Sequence, residues 1–153
     1  MSSKYFLMWL EGPLQAWGAS SKFGLRGTLD FPTKSGVLGL ICCGMGKSGE
    51  QREFLARFAG SDMTVFSFNQ RESYGEKNVR PREPVMTDFQ MVGSGYNSSD
   101  PWESLMSPKK ADGTNPNGAG SKMTYRSYLQ GAAFSVILEV PDDLADCISN
   151  GLV

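Results

Sequence analysis

Apolar and polar positions along this chain fall into a few patterned stretches separated by one long unpatterned one. Lys4 to Glu11 is an apolar run with aromatic residues, stopped by Gly12-Pro13. It predicts a strand buried on both faces or nearly so. Gln15 to Phe31 carries Gly18, Gly24 and Gly27 with Ser20 and Ser21, the composition of a surface loop. Pro32-Thr33-Lys34-Ser35 then opens a helix, with Thr33 and Ser35 as candidate N-caps and Val37, Leu38, Leu40 and Ile41 at helical spacing. Gly36, Gly39 and Gly44 fall inside it. Each costs about 1 kcal/mol relative to alanine, which predicts close backbone approach to a sheet or a ligand. Glu50 to Phe58 sets Phe54, Leu55 and Phe58 on one face of a short amphipathic helix, and Met63 to Phe68, rich in β-branched and aromatic residues, predicts the second strand.

From Asn69 to Lys122 the pattern dissolves among Pro81, Pro84, Pro101, Pro108 and Pro116 and many Gly, Ser and Asn residues. Val85 to Val92 alternates well enough to form a hairpin arm, so this excursion is expected to be a protruding ribbon with a flexible tip near residues 97–121. The pattern returns from Tyr125. Ala132 to Val140 predicts a buried strand with Ala133, Phe134, Val136, Ile137 and Leu138 as core candidates, and Pro141-Asp142-Asp143 starts a last helix. Strand, helix, strand, excursion, strand, helix are five elements of the βαββαβ plan. The expected fold class is therefore α+β, a ferredoxin-like (RNA-recognition-type) unit over residues 1–153, with a ribbon inserted at about 69–126 and the last strand absent. In that plan the last strand lies beside the first, so an open edge is expected along Lys4 to Leu10. It would be filled by a second copy, a separate polypeptide or the chain's own excursion.

A chain of 153 residues that is 40% hydrophobic can bury one domain's core. Lys and Arg number 15 against 16 Asp and Glu, a net charge of -1, which argues against a nucleic-acid coat held by total charge. The distribution changes that picture. Residues 1–49 hold five bases and two acids, whereas Ser127 to Val153 holds four acids and no base, so a polyanion should meet the N-terminal half. The three cysteines form no CxxC pair and there is no histidine, so no zinc site is expected and a reducing, cytoplasmic setting is. Tyr5 to Leu10 is too short for a signal sequence and no apolar stretch is long enough to span a bilayer, so no membrane partner is expected.

The candidate chemistry lies where the glycine-rich loop meets the helix start. Backbone N–H groups, a helix N-terminus and the cations Lys22, Arg26 and Lys34 gather there, the ingredients of an anion site. Trp17 is either a buried anchor for the loop or a base-stacking platform. Gly44-Met45-Gly46-Lys47-Ser48-Gly49 matches GxGxxG and ends like a Walker A loop. It closes a helix instead of opening one, and Ile41 stands where the Walker pattern needs glycine, so it reads as a C-cap and turn and calls for no cofactor.

Gly12-Pro13-Leu14-Gln15-Ala16-Trp17-Gly18, followed by Phe31-Pro32-Thr33-Lys34-Ser35-Gly36-Val37-Leu38-Gly39-Leu40, resembles the N-terminal signature of the CasD family. Arg126-Ser127-Tyr128-Leu129 leading into Ala132-Ala133-Phe134 is similar to a later family segment. The resemblance implies an RNA-binding subunit of the repeat-associated superfamily. Such a subunit caps the 5′ handle of the guide RNA (crRNA) in a type I-E CRISPR Cascade complex and packs against its backbone and large subunits. It implies no catalysis: a related branch cuts precursor RNA with a His, and this chain has none. Family members continue beyond the helix begun at Pro141, so the resemblance implies that their C-terminal part is absent here.

The expected RNA-facing residues are Gln15, Trp17, Gly18, Lys22, Arg26, Thr33, Lys34 and Ser35, with Arg80 and Arg82 on the excursion and Arg126 after it. Two other readings compete. One is a metal-independent endoribonuclease using Tyr74 or Tyr125 with Lys or Arg as an acid–base set. The other is a truncated remnant that self-associates as a homodimer through its exposed edge.

Overall fold

The computed structural model describes residues 3–18, 21–22, 24–69, 82–92, 112–113 and 122–152. In chain order they form β1 (Ser3–Glu11), β2 (Leu14–Gln15), β3 (Leu25–Arg26), α1 (Lys34–Gly44), α2 (Arg52–Ala56), β4 (Met63–Phe68), β5 (Met86–Val92), β6 (Lys122–Gln130), β7 (Ala133–Pro141) and α3 (Asp142–Leu152). The chain is a mixed α+β protein.

β7 is the most apolar strand and takes the centre of an antiparallel sheet of order β1-β7-β4. Its register sets Leu7 opposite Ile137 on one side and Thr64 opposite Ile137 on the other. Val136, Leu138 and Val140 turn to one face, where Val37 and Ile41 of α1, Phe58, and Ala145 and Ile148 of α3 cover them. Phe6, Met8 and Leu10 of β1 and Met63 and Val65 of β4 face the same layer. Alternation sends Tyr5, Leu7 and Trp9 to the opposite face, which no described element covers. The expectation of a first strand buried on both faces is thereby corrected. Ile137, expected in the core, also lies on this second face and is half-buried.

The second sheet is the ribbon. β5 pairs with β6 antiparallel from Met86↔Tyr128 to Val92↔Lys122, β2 pairs with the far end of β6, and β3 lies parallel to its middle. Gly131, at φ 54°, turns β6 directly into β7 and so joins ribbon to core sheet. The expected hairpin arm at Val85 to Val92 is present as β5. The expected tip lies, apart from Asp112 and Gly113, outside the described residues.

Thr33 is the N-cap of α1: its side chain accepts the Gly36 N–H at 3.1 Å. The close approaches foreseen for the helix glycines occur at two of three. A Cβ on Gly36 would lie 2.9 Å from Trp17 Cε3, and one on Gly44 2.6 Å from the Gly151 carbonyl of α3. Gly39 faces open space. The neighbours are thus an indole and a second helix, not the sheet or a ligand.

Candidate nucleic-acid interface

The loop between β1 and α1 is held by side chains the sequence had marked for RNA. Gln15 Nε2 donates to the Ala132 carbonyl at 2.6 Å, and Gln15 Oε1 accepts the Trp17 indole N–H at 3.1 Å. Trp17 is 7% exposed and packs with Leu129, Ala132 and Phe134, so of its two readings the structure shows the buried anchor. Thr28 pins the returning chain, its Oγ1 accepting from the Trp17 N–H at 2.8 Å while Gly18 and Thr28 form a bridge. Each bond satisfies a polar group that burial would otherwise leave costly.

At the start of α1, Thr33 Oγ1 lies 3.3 Å from Ser35 Oγ, and Ser35 is exposed. Lys34 Nζ donates to the Ser61 carbonyl at 2.6 Å, which ties the ammonium to the turn before β4. Arg82 makes a comparable tie. Its guanidinium donates to the Asp30 carbonyl at 3.0 Å and to Ser67 Oγ, and sits 5.5 Å from the Phe134 ring centroid. Arg80 lies outside the described residues.

The remaining residues reach solvent. Gly18, Lys22, Arg26 and Arg126 are exposed, and Arg26 and Arg126 stand directly opposite one another on the β3–β6 pair. Gly24 makes that pairing possible: a Cβ there would lie 2.8 Å from the Met123 carbonyl, and its own carbonyl accepts the Tyr125 N–H at 2.7 Å. Opposite β5, Arg126 is in register with Asp88. The eleven predicted residues therefore divide into a set whose side chains are tied to or packed against other parts of the fold (Gln15, Trp17, Thr33, Lys34, Arg82), an exposed set with local bonds of its own (Gly18, Lys22, Arg26, Ser35, Arg126), in which Arg26 also donates to the Leu25 carbonyl at 3.0 Å, and Arg80.

Two features escaped the sequence reading. Leu25, Phe89, Met91, Met123 and Tyr125 form an exposed apolar side of the ribbon, with the Phe89 and Tyr125 rings 5.2 Å apart. Alternation in β5 marks half of it, but only the register with β6 assembles it. A cleft of about 430 Å³ lies between Trp9, Glu11, Gln15, Trp17, Gly36 and Leu40, at the junction of β1, loop and helix. Among the described residues no group of three or more His, Cys, Asp or Glu could hold a metal ion.

Fold and surface together define an α+β protein that carries a basic loop-and-ribbon junction beside a helix-backed sheet. The chain belongs to the family described as CRISPR-associated protein (Cas_Cas5), which matches residues 5–153. It is 28% identical over 134 residues to the CRISPR system Cascade subunit CasD of Escherichia coli (strain K12), covering 88% of this chain and 52% of the relative. A solved chain of a CRISPR RNA-guided surveillance complex is similar at 30% identity with a TM-score of 0.66, over 97% of this chain and 53% of the other. A second, a crystal structure of a Cas protein, is 26% identical with a TM-score of 0.50, over 97% and 51%. The chain spans about half the length of these relatives.

Proposed function

We propose that this chain is a non-catalytic RNA-binding subunit of a type I CRISPR surveillance complex, that it caps the 5′ handle of the guide RNA, and that other Cascade subunits are its neighbours. Family membership supports the setting, and the surface supports the ligand. The observation that carries it is the pairing of Arg26 and Arg126 on β3 and β6, both exposed, with Lys22 on the loop leading to them. Cations so placed neutralise phosphates and fix register without reading sequence. Gly18 and Ser35 line the same surface in this reading, while Gln15, Trp17, Thr33, Lys34 and Arg82 hold its shape. The order β1-β7-β4, backed by α1 and α3, supports a ferredoxin-like βαββαβ unit with an inserted ribbon, of which the described residues supply all but the last strand. Free Cys42, Cys43 and Cys147 suit a cytoplasmic setting, and no helix among the described residues is long and apolar enough to cross a membrane.

The test is binding of repeat-derived handle RNA across a salt series. Arg26→Ala and Arg126→Ala should each weaken binding and reduce the slope of log K against log salt by about 0.7–0.9 per lost phosphate contact. An unchanged slope in both variants would refute the interface. Cleavage of repeat RNA by the wild-type chain in EDTA would replace this reading with the endoribonuclease one.

A further inference from the structure

The pairing of β5 with β6 gives the ribbon two unlike faces. Opposed residues share a face, so the register Asp88↔Arg126 and Gln90↔Thr124 sets these four side chains on one side, together with Arg26, which stands opposite Arg126 on β3. Leu25, Phe89, Met91, Met123 and Tyr125 take the other side. The arginine face therefore carries a carboxylate for which phosphate contacts have no use. Among the described residues Asp88 forms no ion pair, although Arg126 is directly opposite; its bond is to Gln90, whose Nε2 donates to Asp88 Oδ2 at 2.7 Å.

A carboxylate among phosphate-binding cations weakens binding by repulsion unless it takes a hydrogen bond from the ligand. A carboxylate only accepts, so what it binds must donate. Phosphate oxygens cannot. A nucleobase edge can, and single-stranded RNA presents its edges. Of the four bases guanine alone sets two donors side by side, N1–H and N2–H2, spaced to meet one carboxylate. Adenine and cytosine offer an amino group beside an acceptor, and uracil one N–H between two carbonyls.

Depth on the ribbon agrees with this division. Arg26 and Arg126 are exposed, whereas Asp88 and Gln90 are half-buried. Cations outside and acceptors inside match a nucleotide that enters base edge first and leaves its phosphate at the rim. Gln90 fixes the inner group: its amide must turn the NH2 toward the acceptor-only carboxylate, which holds Oδ2 in place and leaves Oδ1 and Gln90 Oε1 as acceptors.

We infer that Asp88 is a specificity-determining residue that accepts from the N1–H and N2–H2 edge of a guanine in the bound RNA, and that Gln90 is its positioning residue. This rests on the RNA-binding reading above and adds to it a base that the surface selects.

The test measures binding of the full chain to single-stranded uridine octamers carrying one guanosine, inosine, adenosine or cytidine in the middle. Guanosine should bind about tenfold tighter than adenosine or cytidine, and inosine, which keeps N1–H but lacks the 2-amino group, should fall between. Asp88→Asn, which keeps the shape, should bring the guanosine preference to within about twofold, while binding of the plain uridine octamer holds or rises because a repelling charge is gone. Gln90→Met should shrink the preference and leave the uridine octamer unchanged, a result that general loss of structure would not give. Equal binding of the four octamers by the wild type, with the salt slope still dependent on Arg26 and Arg126, would overturn the inference and leave the RNA-binding reading standing. A preference that survives Asp88→Asn would overturn it too. Failure of every octamer to bind would remove the RNA-binding reading and this inference with it.

Discussion

Gln15 connects three parts of the fold with one side chain. Its amide nitrogen reaches Ala132, at the turn between ribbon and core sheet, and its oxygen holds the Trp17 indole. Gln15→Leu keeps the volume and removes both functions, leaving an indole N–H and a carbonyl unpaired in a partly buried setting. The expected loss is about 1–3 kcal/mol of folding stability. Urea unfolding followed by tryptophan fluorescence measures it, and a midpoint within error of wild type would show that water replaces the side chain. Lys34 illustrates the same division of labour. It was a natural phosphate ligand by position, yet its ammonium meets the Ser61 carbonyl, a partner that neither spacing nor charge could reveal.

At the scale of elements, α1 and α3 meet where two glycines let their backbones touch. A Cβ on Gly44 would lie 2.6 Å from the Gly151 carbonyl and 3.1 Å from Leu152 Cδ2, and one on Gly151 2.7 Å from Met45 Cγ. Gly44→Ala should therefore destabilise by about 1–3 kcal/mol, because overpacking against backbone outweighs the helix propensity gained. Gly39→Ala on the same helix meets nothing and should stabilise by up to about 1 kcal/mol. Urea midpoints moving in opposite directions are the expected result, and two shifts of the same sign would contradict the packing. Elements of this kind were legible wherever local chemistry sufficed. Met63–Phe68, the Thr33 cap and the Asp142-Asp143 helix start all stand where the pattern puts them. What remained hidden depends on distant partners. A continuous apolar run says that Lys4 to Leu10 is a strand, but which of its faces is covered depends on α1, β7 and α3. Likewise Arg26 and Arg126 are a hundred positions apart in the chain, and only the β3–β6 register makes them neighbours.

In the molecule as a whole, α3 is docked by charge at its first turn as well as by its apolar face. Arg57, at the end of α2, donates to Asp143 at 2.7 Å, and Lys4 of β1 lies 3.3 Å from Asp142 and 3.6 Å from Asp146. The hydrogen bond from Arg57 holds the Asp143 carboxyl below the ordinary aspartate range, and the bond to Asp142, with Asp146 nearby, holds the Lys4 ammonium above the ordinary lysine range. The signs follow from linkage. A depressed aspartate contributes stability above its unfolded pKa and loses it as pH falls through the lower folded value, whereas a raised lysine contributes below its unfolded pKa and loses it as pH rises through the higher folded one. Both contributions are complete near neutral pH, and both are small because the groups are exposed and screened. Arg57→Met should accordingly melt slightly below wild type at neutral pH and low salt. The gap should close as pH falls through the acid end of the carboxylate range, and added salt should narrow it. Melting curves across pH decide the point: a gap that persists unchanged into acid would mean that Arg57 acts through the packing of its aliphatic stem, not through Asp143.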